Sequence, residues 1–224
     1  MTMRTSIAST CLVALGLCGP AYGADFINLD FEQAQAPNLP GGGLVFLDWS
    51  AGAPGWTHSA GADTGSVFYG TVHVGVTQWF ALVSAQSLPN LLLSGRYSFA
   101  FNSGYATLPP DSNFVHATLS QTGTVPGDAS SLRLRALGPL AVFLGDNPIA
   151  LQALGDGFYA GDIQAYRGQT LELRLVDLSN DLGHAVVVDD IVFSPLAVVP
   201  ELPTGPLLAL GLAGLAAMRR VRSS

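Results

Sequence analysis

Leu171-Glu172-Leu173-Arg174-Leu175 alternates apolar and charged side chains with a period of two. In an extended strand, successive side chains point to opposite faces, so the three leucines share one face while Glu172 and Arg174 share the other. The same period recurs at Leu132 and Leu134 against Arg133 and Arg135, and at Tyr97, Phe99 and Phe101 against Ser98 and Ala100. It also appears at Ile27, Leu29 and Phe31 against Asn28, Asp30 and Glu32. Each predicts a strand with one buried face. Further strands are read at residues 66–74, 77–84, 114–121, 140–145, 148–154 and 185–193. Turn signals separate them: Gly41-Gly42-Gly43, Pro54-Gly55, Pro109-Pro110-Asp111, Pro126-Gly127 and Gly145-Asp146-Asn147-Pro148, the last closing a hairpin. About ten short strands with almost no amphipathic helix predict an all-β, jelly-roll β-sandwich, and no solenoid or propeller period is present.

Composition agrees with this reading. The chain has 224 residues, with 26 Gly and 14 Pro, too many backbone breakers for long helices. Only 11% of residues are charged and 49% are apolar, enough for one packed core and unlike a disordered tail protein. Every basic residue is Arg. Between residues 24 and 199, five arginines stand against fifteen carboxylates, a balance of −10. Such a body repels phosphate backbones and speaks against nucleic acid as a partner.

Both ends read as addresses. Arg4 precedes the apolar run from Ile7 to Leu17, and Ala21-Tyr22-Gly23 offers the small residues that signal peptidase reads. Residues 1–23 are thus read as a secretory signal peptide. A lipoprotein signal at Cys18 is the rival, but Leu17 occupies the position where a small residue is wanted. Cys11 and Cys18 are the only cysteines, so residues 24–198, the sandwich domain, contain neither thiol nor disulfide.

Residues 199–224 form the second address. Val199-Pro200-Glu201-Leu202-Pro203 leads into an apolar stretch over residues 205–218, and Arg219, Arg220 and Arg222 close the chain. The prolines hold the first part extended. The apolar part is read as a single C-terminal transmembrane sorting helix, with the arginines on the cytoplasmic side and the body outside. Counted from Leu202, the 17 residues to Met218 span about 25 Å, near the lower limit for a bilayer crossing. This tail resembles the PEP-CTERM sorting signal, with the Pro-Glu-Pro core written here with an intervening Leu202. The resemblance implies recognition by an exosortase at the envelope of a Gram-negative bacterium and sorting to the cell surface. A sortase-type Leu-Pro-x-Thr-Gly signal would need one residue more than Leu202-Pro203-Thr204-Gly205 provides. A permanent membrane anchor stays open.

A second resemblance covers the body. Residues 28–32, Pro54-Gly55-Trp56, residues 162–173 and Val188-Asp189-Asp190-Ile191-Val192-Phe193 are similar to segments of galactose-binding-like jelly rolls, a group that includes many carbohydrate-binding modules. It implies that the first and last strands are neighbours and that a structural calcium ion sits near them. Glu32 and Asp189, with Asp30 or Asp190, are the implied ligands. Calcium takes six to eight oxygens, so carboxylates bonded to loop amides remain the alternative.

Sugar faces pack on aromatic rings while amides and carboxylates satisfy hydroxyls. Of the three tryptophans, Trp56 lies on a Pro-Gly loop beside His58 and is expected to be exposed, whereas Trp79 reads as core. Tyr69 and Tyr105 are further candidates, and burial is the competing role for all of them. His58, His73, His116 and His184 are isolated, and no metalloprotease, nucleophile-elbow or phosphate-loop motif occurs. The expectation is an exported, surface-sorted, non-enzymatic sandwich associated with exopolysaccharide or biofilm matrix. A dedicated carbohydrate-binding module gripping its glycan with Trp56 is the alternative, and a glycan-active hydrolase the third reading.

Overall fold

In a computed structural model of the protein, residues 25–39, 43–59, 65–71, 75–106, 113–182 and 184–198 are described. The signal peptide (1–23) and the sorting tail (199–224), including Val199, Pro200, Glu201, Pro203, Arg219, Arg220 and Arg222, lie outside these residues. Among the described residues no helix is long and apolar enough to cross a membrane.

The first half of the body supplies β1 (Val45–Leu47), a one-turn helix α1 (Trp49–Gly52), β2 (Thr57–His58), β3 (Val67–Tyr69), β4 (Trp79–Ser84), β5 (Tyr97–Asn102), β6 (Gly104–Tyr105) and β7 (Phe114–Val115). The second half supplies β8 (Thr118–Thr124), β9 (Ser131–Leu137), β10 (Leu140–Leu144), β11 (Asn147–Ile149), β12 (Gln152–Gly155), β13 (Phe158–Asp162), β14 (Thr170–Asp177) and β15 (Val186–Ser194). Eight strands form one sheet in the order β1-β3-β4-β5-β15-β9-β13-β12, five form a second in the order β11-β10-β14-β8-β2, and β6 pairs with β7. Neither large sheet closes into a barrel.

The period-two residues explain why the sheets face each other. Leu173 and Leu175 of β14 and Leu119 of β8 meet Phe99 and Phe101 of β5, Leu132 and Leu134 of β9, and Val186 and Val188 of β15 in one core. Burial of such side chains stabilises the fold by ~1.5–3 kcal/mol each. A smaller cluster lies on the outer face of the larger sheet. There Phe68, Trp79, Ala81, Val83, Ala100 and Val187 are covered by Leu88, Leu91, Leu92 and Leu93 from the connection between β4 and β5.

Four expectations change. Residues 27–32 do not form a strand: Asn28 and Phe31 take positive φ (50° and 56°), and Ile27 is 47% exposed. The ladder is replaced by side chains, since Gln121 Oε1 accepts from the Ile27 N–H (2.9 Å), Gln121 Nε2 donates to the Ile27 carbonyl (3.0 Å), and Asn28 Oδ1 accepts from the Gln33 N–H. Residues 114–121 divide at His116-Ala117, where the Ala117 N–H donates to Ser103 Oγ instead of a strand. Residues 148–154 divide into β11 and β12, which belong to different sheets. Residues 66–74 keep only β3 among those described. The hairpin at Gly145-Asp146 is as expected: Leu144 pairs with Asn147, and Gly145 has φ 59°. Pro148 sits on the sheet edge, where a missing N–H costs least.

Candidate functional site

The connection over residues 85–96 covers part of the larger sheet and is fastened from two sides. Leu93 N–H donates to Ser98 Oγ (2.9 Å), Ser98 Oγ donates to Asp189 Oδ2 (2.7 Å), and the Arg135 guanidinium donates to the Leu93 carbonyl. Asp189 Oδ1 accepts from the Asp190 N–H. Asp189 is 1% exposed, and its carboxyl is pushed up to about 7. Burial is the largest cause; the Ser98 hydroxyl and Asp190 N–H counteract it, and the charges of Asp190 and Glu32 add to it.

Glu32 fastens the end of the same connection. Its Oε1 accepts the N–H groups of Arg96 (2.6 Å) and Tyr97 (3.0 Å), and its Oε2 accepts Arg96 Nε (2.9 Å). Partial burial pushes this carboxyl up, but the Tyr97 N–H and the Arg96 guanidinium and N–H outweigh it and hold it below its usual value. Gly95 has φ 55°, and a Cβ there would collide with Glu32 Oε1, so glycine lets the turn wrap the carboxylate without displacing it.

Above this clamp lies a cleft of about 320 Å³ bordered by Asn38, Tyr69, Ser84, Gln86, Arg96 and Tyr97. The Arg96 guanidinium stands 5.4 Å from the centre of the Tyr97 ring. Tyr69 meets Tyr97 edge-on at 6.4 Å between ring centres, and its hydroxyl lies 3.3 Å from Ser84 Oγ. Burial, the largest cause, and the neighbouring Tyr69 push the Tyr97 phenol up, so it remains a hydrogen-bond donor at neutral pH. Asn38 and Gln86 are exposed. Amides, hydroxyls, a guanidinium and a half-buried ring thus converge on a volume at the small end of ligand pockets.

The residues read from the sequence are distributed unevenly about this cleft. Tyr69 borders it, although it is itself buried, and Glu32 does not line it but accepts the N–H groups of Arg96 and Tyr97, which do. Trp56 is corrected: it is 5% exposed, its ring stacks on Phe31 at 5.5 Å, and its Nε1–H donates to the Asn28 carbonyl (2.9 Å), so it is a core residue and no sugar platform. That carbonyl also accepts the Phe31 N–H (3.4 Å), so the Trp56 ring adds the shorter of its two hydrogen bonds. His58 stacks on Trp49 at 4.0 Å and donates from Nδ1 to the Ser59 carbonyl (2.8 Å); Tyr105 packs edge-on against Phe114 at 5.9 Å. Neither reaches the cleft. Trp79 is buried, as read. Arg96, Tyr97, Gln86 and Asn38 were missed; the turn Ser94-Gly95 just ahead of an aromatic strand start was the available signal.

The implied calcium ligands do not fit a cation in this arrangement. Glu32 already accepts from three N–H groups, Asp189 accepts from two donors under the connection, and Asp190 occupies a separate bulge with φ 48°. Among the described residues no three His, Cys, Asp or Glu side chains converge. The first and last strands are not neighbours, since β15 lies between β5 and β9 and β1 pairs only with β3; what touches β15 is the non-strand segment before β1, through the Ile191 N–H that donates to the Leu29 carbonyl (3.1 Å).

No family model matches the chain, and none of the curated proteins does. Among solved structures it is similar to an apo-form cyclase from Fischerella sp., at 14% identity and a TM-score of 0.41, with 75% of this chain and 93% of that one covered. It is also similar to the secreted serine protease VesC from Vibrio cholerae, at 14% identity and a TM-score of 0.31, with 53% of this chain and 29% of that one covered.

Proposed function

We propose that the protein is an exported, surface-sorted, non-enzymatic β-sandwich of jelly-roll type whose cleft at Tyr97 holds a neutral polysaccharide of the extracellular matrix. The N-terminal signal sequence and the Pro-Glu-Leu-Pro tail support export, with signal peptidase and an exosortase as processing enzymes and the apolar run over 205–218 as a membrane segment. The two large sheets facing each other across one core support the sandwich assignment. The observation that carries the binding role is the convergence of Asn38, Gln86, Arg96 and the Tyr97 ring on one cleft whose backbone is clamped by Glu32. Sugars present an apolar face for a ring and hydroxyls for amides, and a preorganised backbone lowers the ordering cost of binding.

Retention of the full-length protein on a panel of immobilised polysaccharides tests this reading. Retention on at least one, abolished by Asn38→Ala with Gln86→Ala at an unchanged melting temperature, is expected. Retention on none, or retention indifferent to both changes, would contradict it.

A further inference from the structure

The outer face of the larger sheet has two unlike halves. Residues 85–96 cover the half over β4 and β5. On the half made by β15, β9, β13 and β12, Leu154, Phe158 and Val192 are 45%, 43% and 50% exposed, around a shallow cleft of about 360 Å³. The register places Val192 beside Arg133 and Phe158 beside Arg135, on the same face. The Arg135 guanidinium lies 4.8 Å from the centre of the Phe158 ring. Three large apolar side chains on neighbouring strands form a patch of the kind that marks an interaction surface. Two of the body's five arginines lie here, in a domain that is otherwise strongly acidic.

This patch borders the point where the chain leaves the sandwich. Ser194 ends β15 and lines the shallow cleft, and Leu196, 63% exposed, follows with its carbonyl held by Ser131 Oγ (2.7 Å). The apolar run begins at residue 205, so the connection from Ser194 reaches at most about 40 Å when fully extended. A body tethered through that run keeps this face within reach of the bilayer.

We infer that this half-face is a membrane-resting surface, with Leu154, Phe158 and Val192 in the headgroup region of the lipid bilayer that holds the C-terminal run. Arg133 lays its aliphatic stem along the apolar patch and presents its guanidinium to lipid phosphates, while Arg135 stays bound to the Leu93 carbonyl and stacked on Phe158. The outer face of the five-stranded sheet points away from the lipid. The inference rests on the anchoring part of the proposed function and is independent of the glycan cleft.

The test uses the full-length chain with Cys11→Ser and Cys18→Ser, so that a single introduced cysteine carries a nitroxide. Val192→Cys or Leu154→Cys reports the patch, the second guarding against misfolding of the first, and Thr122→Cys on the exposed face of β8 is the reference. The protein is reconstituted into vesicles of phosphatidylcholine and phosphatidylglycerol, and access of a water-soluble nickel complex is compared with access of oxygen. The expected result is a several-fold fall in nickel access at the patch relative to position 122. Water-like access at both positions, in protein that floats with the vesicles, overturns the inference and leaves anchoring intact. Protein that does not float overturns the anchoring reading and this inference with it. Spin–spin broadening at position 192 overturns it in favour of contact between two copies.

Discussion

At the scale of single residues, two carboxylates impose opposite pH dependences. The Asp189 carboxyl is raised from 3.8 to about 7, so folding takes up a proton there. Its contribution is fully present below pH 3.8 and is lost as pH rises through 7, a difference on the order of 4 kcal/mol. Asp189→Asn, which resembles the protonated acid, is expected to be more stable than wild type at pH 8 and no more stable at pH 4, measured by urea unfolding; equal destabilisation at both values would refute this. Glu32 is shifted downward, so its stabilisation is present above its usual value of 4.5 and is lost as pH falls through its folded value. Gly95→Ala, which pushes a Cβ into that carboxylate, is expected to cost ~1–3 kcal/mol and to abolish polysaccharide retention together with the clamp. Trp56→Phe removes the shorter of the two hydrogen bonds to the Asn28 carbonyl together with part of a buried ring and is expected to cost ~1–3 kcal/mol, with retention by the folded protein preserved. That residue shows where sequence reading stops. A Pro-Gly turn marks a loop but does not say on which side of it the ring lies, and the ring's hydrogen-bond partner is a carbonyl 28 residues away.

At the scale of elements, strands whose alternation contrasts leucine with charge were the legible ones. β9 and β14 bury Leu132, Leu134, Leu173 and Leu175 and turn Arg133, Arg135, Glu172 and Arg174 to the opposite face because the other register would put those charges in the core. Residues 27–32 show the same alternation without the strand, since Gln121 and Asn28 supply the hydrogen bonds that a ladder would have made. β13 was missed although Gly155-Asp156-Gly157, with φ of 92°, 51° and 76°, marks the turn ahead of it. The connection over 85–96 was equally hidden, because its leucines carry no strand period and its cover of the sheet depends on Ser98 and Asp189, distant in sequence. Ser98→Ala removes the hydroxyl between Leu93 and Asp189. Faster amide hydrogen exchange across 85–96, with the exchange of β9 and β14 unchanged, is expected; exchange no different from wild type would show that the hydroxyl does not hold the connection.

At the scale of the whole molecule, the all-β architecture emerges from side-chain alternation, whereas the cleft arises from four places in the chain, residues 36–38, Tyr69, residues 84–86 and residues 95–97, that only the fold brings together. No local motif announces such a site. Glu32 and Asp189, the first two carboxylates named for calcium, find their donors inside the protein, so chelator is expected to leave the melting temperature of the full-length chain unchanged; a clear fall would restore the metal reading. Export is checked separately by the masses of both chain ends in envelope and cytosolic fractions: loss of residues 1–23 in the envelope fraction is expected, and an uncut chain confined to the cytosol would remove the matrix from consideration. The glycan role is tested most directly by mapping backbone amide shifts of the labelled protein as an oligosaccharide from the retained polysaccharide is added. Shifts centred on Gln86, Gly95, Arg96 and Tyr97 are the predicted result; shifts gathered elsewhere on the sandwich, or none at saturating sugar, would contradict it.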